Sequence, residues 1–288
     1  MKPKVLVIGA SGFLGRRLLD LFFPEFEVFG TSYSKLQDQY IPLDITNPEQ
    51  VQEVIRKVNP QIIILPAALT DLDRCETDRN LAVNINVTGV ENVVRWCQNR
   101  VLVYYSTDAV FDGVQGNYRE EDQPHPVNFY GETKLRAENI VNRLPEYLIL
   151  RTCMLYSQGD GPKFINWLIR NLSQGKGVNV ATDLTTTPTF IDDVVKATLA
   201  LLQKKCGGVY HVAGESALSC YDMATHIAKK WGFDQSLIHP VKRAELPWKA
   251  ARAEQATLDI SKLRKEGINM LTFEQGMQKL WEASPGSK

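Results

Sequence analysis

The sequence predicts a Rossmann-type, doubly wound α/β fold: a parallel sheet with helices on both faces and a smaller α/β lobe beyond it. Three observations carry that expectation. Strand-length runs that are apolar throughout alternate with segments of helical period, as a sheet covered on both faces requires. A glycine-rich turn, GASGFLG, follows the first of these runs directly. Asparagine and proline stand where helices have to start or stop.

Taken in order, KVLVI from Lys4 is the first strand and residues 12–22 the first helix, ended by Pro24. FEVFGT is the second strand. Asn47 and Pro48 read as the N-cap and first residue of a helix over 48–58, which Pro60 ends. The IIIL run, a helix over 78–100, VLVYYS, a helix over 128–143 and YLILR continue the alternation to Arg151. Beyond Arg151 the rhythm loosens, with helices expected near 162–174, 191–204, 220–231 and 273–282 around GVNVA and GGVYHVA. No linker rich in Ser, Gly or charge separates the two parts. The expected organisation is a dinucleotide-binding domain over 1–155 and a substrate lobe over 156–288, with the chain crossing back between them.

Composition narrows the function. With 33 Lys and Arg against 33 Asp and Glu, the net charge is zero and no overall field recruits nucleic acid or an anionic membrane. The longest apolar run is about eight residues and contains Pro66, far below the roughly twenty that span a bilayer. Cys75, Cys97, Cys153, Cys206 and Cys220 are scattered without a CxxC pair, so reduced thiols, a cytoplasmic setting and no metal site are expected. Glu120, Glu121 and Asp122 read as a solvated loop. The five tryptophans read mainly as core or lobe interface, with Trp248 a possible pocket residue, and His211 as a satisfied core histidine.

Gly9, Gly12 and Gly15 fall between a strand and a helix, where glycines allow a tight turn, close approach of a pyrophosphate to backbone N–H groups, and close helix packing. Ser11, Phe13 and Leu14 belong to the same turn. At the end of the second strand, where an acidic residue would accept from the ribose 2′-hydroxyl of NAD(H), the chain reads GTSYSK. Ser32, Ser34 and Lys35, with Arg16, instead suit a 2′-phosphate, so NADP(H) is expected, with NAD(H) as the alternative. Asp44, with Ile45, closes the third strand either beneath an adenine or as a cap for the following helix. Ala67 and Ala68 end the fourth strand in side chains small enough for a cofactor to pass.

Ser106, Thr107 and Asp108 lie at the carboxyl edge of the fifth strand, where open α/β sheets bind ligands. Tyr130 and Lys134 follow at an i, i+4 spacing that puts both on one helix face, so the ammonium is expected to lower the pKa of the phenol. These residues, together with LDITNP, AALTDLDRCE, NINVTGVENV, YSTDAVFDG, PVNFYGETKLRAE, LRTCMLYS and DLTTTPTFIDDVV, resemble the extended short-chain dehydrogenase/reductases, and within them the dTDP-4-dehydrorhamnose reductase group. The resemblance spans nearly the whole chain. It implies that Thr107, Tyr130 and Lys134 are catalytic and that Asn86 supports them. It also implies that hydride passes from a nicotinamide to a 4-keto-6-deoxysugar carried on a nucleotide. Thr70, Thr107, Asp108, Met154, Thr187 and Arg252 fall on the substrate side, Arg252 where relatives meet the diphosphate. Ala109 and Met154 stand where those reductases carry Tyr and Trp, and Leu184 and Thr186 replace a Gln and a Gly, which implies a wider pocket. A nucleotide-sugar epimerase or dehydratase, and a non-catalytic NADP-binding regulatory subunit, are the alternatives; a homodimer is compatible with either.

Overall fold

Four of the five residues of β1 (Lys4–Ile8) are buried, which makes it a central strand with apolar side chains on both faces. The structure, a computed structural model, describes residues 2–22, 24–34, 38–157 and 164–283. After β1 come α1 (Phe13–Phe22), β2 (Glu27–Ser32), β3 (Ile41–Pro42), α2 (Pro48–Val58) and β4 (Ile62–Leu65). Asn47 caps α2 through Gln50 N–H, with Pro48 behind it, as the dipeptide predicts.

The helix expected over 78–100 starts at Asp78 but ends at Val94 and contains a π turn, and a separate short helix precedes it. α3 (Leu72–Thr77) and α4 (Arg79–Val83) are followed by a π-helical turn (Asn84–Thr88) and α5 (Gly89–Val94). Asp78 caps α4 by accepting the Leu81 N–H, and the wider π turn carries the buried Asn86. Then come β5 (Val101–Thr107), a 3₁₀ turn (Asp108–Val110), α6 (Phe129–Val141) and β6 (Tyr147–Thr152). The remainder is β7 (Leu155–Tyr156), α7 (Phe164–Ser173), β8 (Val178–Ala181), β9 (Thr185–Thr186), β10 (Thr189–Phe190), α8 (Ile191–Gln203), β11 (Gly208–His211), β12 (Leu218–Ser219), α9 (Cys220–Trp231), β13 (Ile238–Val241), β14 (Gln255–Ala256), α10 (Ser261–Lys265) and α11 (Phe273–Glu282).

Seven strands form the main sheet in the order β11-β6-β5-β4-β1-β2-β3, and every pair in it is parallel. The winding reverses between β1 and β4, the switch point at which such sheets bind ligands. One face buries Leu14, Leu18 and Phe22 of α1 with Val194, Val195 and Leu201 of α8. The other buries Val51, Val54 and Ile55 of α2 with Val90 and Val93 of α5 and Ala137 and Val141 of α6. A separate core gathers Tyr156, Ile165 and Leu168 with Met223, Ile227 and Met277 around β8 and β13. Residues after 155 therefore contribute to two cores. Most build the smaller lobe, while α8 and β11 return to the main sheet, and Arg17 of α1 clasps Asp192 of α8. Among the described residues no helix is long and apolar enough to cross a membrane.

Candidate active site

The glycine turn has the three geometries its sequence demands. Gly9 sits at φ 96°, and a Cβ there would lie 2.9 Å from Ala67 across the switch point. Gly12 is exposed at the start of α1. A Cβ on Gly15 would fall 2.2 Å from the Gly9 carbonyl oxygen, so α1 can approach the strand only without one. The first N–H groups of a helix have no partner within it, so the start of α1 at Phe13 and Leu14, directly after this turn, is suited to a phosphate.

The residues predicted for a 2′-phosphate separate. Ser32 is buried and donates to Ser11 Oγ at 2.8 Å, which ties β2 to the turn. Ser34 and Arg16 are exposed near it, and Lys35 lies outside the described residues. Asp44 does not cap α2. Its Oδ1 accepts from the N–H and hydroxyl of Thr46 at 2.9 and 2.7 Å, while Asn47 does the capping. Ile45 is buried under Gly89, and its carbonyl accepts from Asn92. Ala67 and Ala68 are half-buried after β4, Ala67 N–H bonding the Ile8 carbonyl at 3.1 Å.

Tyr130 reaches Thr107 because α6 lies directly against the 3₁₀ turn. Gly131 makes that contact possible, since a Cβ there would be 2.0 Å from the Ala109 carbonyl oxygen. Asn128 caps α6 through Gly131 N–H at 2.8 Å and donates to the Ala251 carbonyl at 2.9 Å, which anchors the far wall of the site. Asn86, fully buried on the π turn, holds both the N–H and the carbonyl of Leu69 and donates to Thr133 Oγ1 at 3.1 Å. Thr133 in turn donates to the Tyr130 carbonyl. Asn86 therefore acts on the tyrosine through its backbone.

Tyr130, Thr107 and Lys134 are all buried in one place. Thr107 donates to Asp108 Oδ1 at 2.9 Å and accepts from Ala109 N–H at 3.2 Å. Lys134 donates its Nζ to the Tyr105 carbonyl at 2.6 Å. The expected lowering of the phenol does not occur. Burial raises Tyr130 above the usual range, the Asp108 charge adds to that, and the Thr107 hydrogen bond pulls partly back. Desolvation acts on the lysine instead, bringing it to about 7, with Glu138 and Cys75 opposing. At neutral pH the phenol therefore keeps a proton to give. Behind the pair, Arg151 holds Glu138 through both carboxylate oxygens at 3.0 and 2.7 Å and faces His211 Nε2. His211 is fully buried with Nδ1 on the Asp259 carbonyl, as a satisfied core histidine should be. Glu120 is not a freely solvated loop residue, because it accepts the His211 N–H and is half-buried.

These groups open into a cavity of about 570 Å³ between the lobes. Thr107, Asp108 and Tyr130 stand on one wall. Trp167, Trp248 and Leu184 come from the other lobe, so Trp167 is a lining residue and not core. Ala109 and Met154 are part of the lining, Met154 at a left-handed φ of 35°. Arg252 also lines it, but its guanidinium is committed to Asp73 at 2.9 Å and stacks on Trp248. Thr70 is exposed outside the lining, and Thr187 is buried outside it too, with a hydroxyl that has no hydrogen-bond partner among the described residues. The sequence singles out Thr186 only as a replacement that widens the pocket, and sequence reasoning missed Cys153. Cys153 donates to Asp108 Oδ2 at 2.8 Å and meets the Thr186 hydroxyl. No spacing rule flags such a thiol, because its partners come from three distant segments. No group of three or more His, Cys, Asp or Glu able to hold a metal occurs among the described residues.

Comparison with known proteins agrees with this architecture. The chain is similar to the probable low-salt glycan biosynthesis reductase Agl14 of Haloferax volcanii, 34% identical over 95% of this chain and 96% of that protein. It is similar to methionine adenosyltransferase 2 subunit beta of Xenopus laevis, 31% identical over 96% and 87% of the two chains. Among solved structures it is similar to dTDP-4-dehydrorhamnose reductase from Bacillus anthracis in complex with NADP. That structure is 32% identical with a TM-score of 0.91, covering 99% of this chain and 100% of that one. The family described as RmlD substrate binding domain matches residues 2–284, nearly all of this α/β chain with its glycine turn and Tyr130–Lys134 helix, and the chain belongs to that family.

Proposed function

We propose that this chain is an NADP-dependent reductase of a nucleotide-linked 4-keto-6-deoxysugar, similar in activity to dTDP-4-dehydrorhamnose reductase. The observation that carries the reading is the meeting of Tyr130, Thr107 and Lys134 at the carboxyl edge of β5. Thr107 and Tyr130 line a cavity about 570 Å³ in size, within the range typical of small-molecule sites, and Lys134 is buried one helical turn beyond Tyr130 on α6. The residues fit a dinucleotide: a glycine turn in which neither Gly9 nor Gly15 has room for a Cβ, and a buried lysine whose ammonium has a single hydrogen-bond acceptor among the described residues.

Gly9, Ser11, Gly12, Phe13, Leu14 and Gly15 would hold the diphosphate. Arg16, Ser34 and Lys35 would take the 2′-phosphate, and Asp44 and Ile45 the adenine. Ala67, Ala68 and Asn86 would line the path to Lys134, whose ammonium would hold the nicotinamide ribose. When bound, the reduced nicotinamide supplies the hydride. Tyr130, protonated at neutral pH, donates its phenolic proton to the substrate oxygen as negative charge develops there, a contribution worth about 10² to 10⁴ in rate. Thr107 aligns that hydroxyl, and Asp108 fixes the Thr107 rotamer by accepting its proton. Ala109 and Met154 leave the sugar end roomy, while Arg252, Trp248 and Trp167 border the nucleotide end.

Residues 1–155 form the nucleotide domain in this reading, and 156–288 the substrate lobe apart from the returning α8 and β11. Unpaired cysteines suit a reducing cytoplasm, and assembly as a homodimer belongs to the same reading. Oxidation of NADPH across a panel of nucleotide-linked 4-keto-6-deoxysugars is the test. Tyr130→Phe is expected to keep NADPH affinity and to lose about 100-fold or more in kcat; unchanged turnover would overturn the assignment. A second reading, a non-catalytic docking subunit, is favoured only by the likeness to methionine adenosyltransferase 2 subunit beta. Intact NADPH binding with no turnover on the panel would select it.

A further inference from the structure

Lys134 is 3% exposed, and an ammonium withdrawn this far from water needs compensation. The charged and titratable groups around it can be taken in turn. On its own helix, both oxygens of Glu138 are held by Arg151 at 3.0 and 2.7 Å, and Tyr130 remains protonated. From α3, Cys75 gives its thiol hydrogen to the Leu69 carbonyl, and burial pushes it up to about 11, so it is neutral. From β5, the Tyr105 carbonyl accepts one of the ammonium's hydrogens at 2.6 Å. The remaining group is the ring of Tyr104, also on β5, whose centroid lies 4.1 Å from Lys134 Nζ. That is well inside the roughly 6 Å over which a ring face attracts a cation.

We propose that Tyr104 is a positioning residue for the reaction: its ring face is the shelf on which the charged form of Lys134 is held at cofactor-binding height. The hydroxyl does not account for the placement. It is fully buried and has no hydrogen-bond partner among the described residues. Tyr104 is fully buried, so it acts on the cofactor only through Lys134. With the lysine already brought to about 7 by burial, a change in ring electron density moves its charge within the physiological range.

This inference rests on the reading of Lys134 as the cofactor-holding lysine, and the test separates the two. NADP⁺, stable in acid, is titrated against the full chain by calorimetry from about pH 5 to about pH 8.5, and the pH midpoint of affinity is recorded. Titration of the 2′-phosphate is common to all variants and cancels between them. Tyr104→Phe keeps the ring face and should keep the midpoint within about 0.2 pH units. Phenylalanine carrying one, two and three ring fluorines at position 104 keeps the shape and drains the face. The midpoint should fall in steps to about one unit lower, and affinity near pH 7 by up to about tenfold. Tyr104→Leu, checked for folding by circular dichroism, should match the most fluorinated ring. A midpoint that stays fixed along the fluorine series while NADP⁺ still binds overturns the role of Tyr104 alone. Absence of NADP⁺ binding by the unsubstituted chain at every pH overturns the proposed function as well.

Discussion

Replacing Gly131 with alanine sets helix propensity against packing. In an exposed helix the change would stabilise by about 1 kcal/mol, because glycine carries extra backbone entropy in the unfolded chain. Here the new methyl carbon would stand 2.0 Å from the Ala109 carbonyl oxygen, 2.9 Å from the Ala109 carbonyl carbon and 2.9 Å from Pro126 Cβ. Ordinary C···O contact begins near 3.3 Å, so α6 and the 3₁₀ turn must separate by about 1.3 Å. Overpacking of this kind costs about 1 to 3 kcal/mol, which cancels or outweighs the propensity gain. The larger consequence is catalytic. The separation falls between Tyr130 and Thr107, and a displacement of about 1 Å costs about 100-fold in rate. We expect Gly131→Ala to lower kcat about 100-fold with NADPH affinity nearly unchanged. Gly15→Ala, whose methyl would strike the Gly9 carbonyl oxygen at 2.2 Å, should instead weaken NADPH binding. The measurements are kcat on the substrate panel, NADPH affinity by fluorescence, and Tm. A raised Tm with kcat within about threefold of the unsubstituted chain would refute the claim that this contact sets the catalytic geometry.

Glu138→Gln leaves Arg151 as an uncompensated buried charge and should destabilise the fold by about 3 to 5 kcal/mol in urea unfolding, whereas a surface pair would cost under about 1. His211 is held neutral, its pKa lowered to about 3 by burial and then by Arg151. The unfolded chain therefore binds the extra proton between pH 6.5 and about 3, and stability falls as pH is lowered through that window. At 1.36 kcal/mol per pH unit the ceiling is about 5 kcal/mol, and His211→Gln should flatten the acid limb of ΔG measured against pH. Arg16→Ala should reduce the preference for NADPH over NADH about tenfold in Kd, since a guanidinium hydrogen-bonded to phosphate contributes roughly 1.5 to 3 kcal/mol. Equal losses for both cofactors would place Arg16 away from the 2′-phosphate.

Local rules were enough for the sheet and the glycine turn. Apolar strands, Asn47–Pro48 and the three glycines each act within a few residues of themselves, and the structure places them where the rules put them. The Tyr130–Lys134 spacing likewise fixes a shared helix face. The pKa reading failed because the phenol's environment is set by burial against Asp108 and Cys75, residues that spacing along one helix does not count. The short helix α3 was not anticipated, and the π turn escaped because it answers a tertiary demand: Asn86 must reach both Leu69 and Thr133. Cys153 and Trp167 escaped for the same reason: Trp167 joins the cavity from α7, and Cys153 meets Asp108 and Thr186, which come from separate segments.

The sequence implies that losing two aromatics, at Ala109 and Met154, leaves an open and unstacked sugar pocket. The structure shows the aromatic surface supplied from another side: Phe164 and Trp167 of α7 lie stacked at 6.0 Å, and Trp248 meets Arg252 across the cavity from Tyr130. α7 and the Trp248 segment belong to the substrate lobe, whereas Ala109 and Met154 flank the catalytic strands. Space is therefore gained beside the proton donor, where the sugar carbonyl must lie, and apolar stacking surface is kept farther out. In the proposed mechanism proton transfer depends on Tyr130, Thr107 and Gly131, none of which these exchanges touch. A chain arranged this way can change the sugar it accepts by altering one wall while the catalytic wall stays fixed. That separation follows from the topology: a doubly wound sheet presents its reacting groups on strand ends, and the second lobe provides the opposing wall.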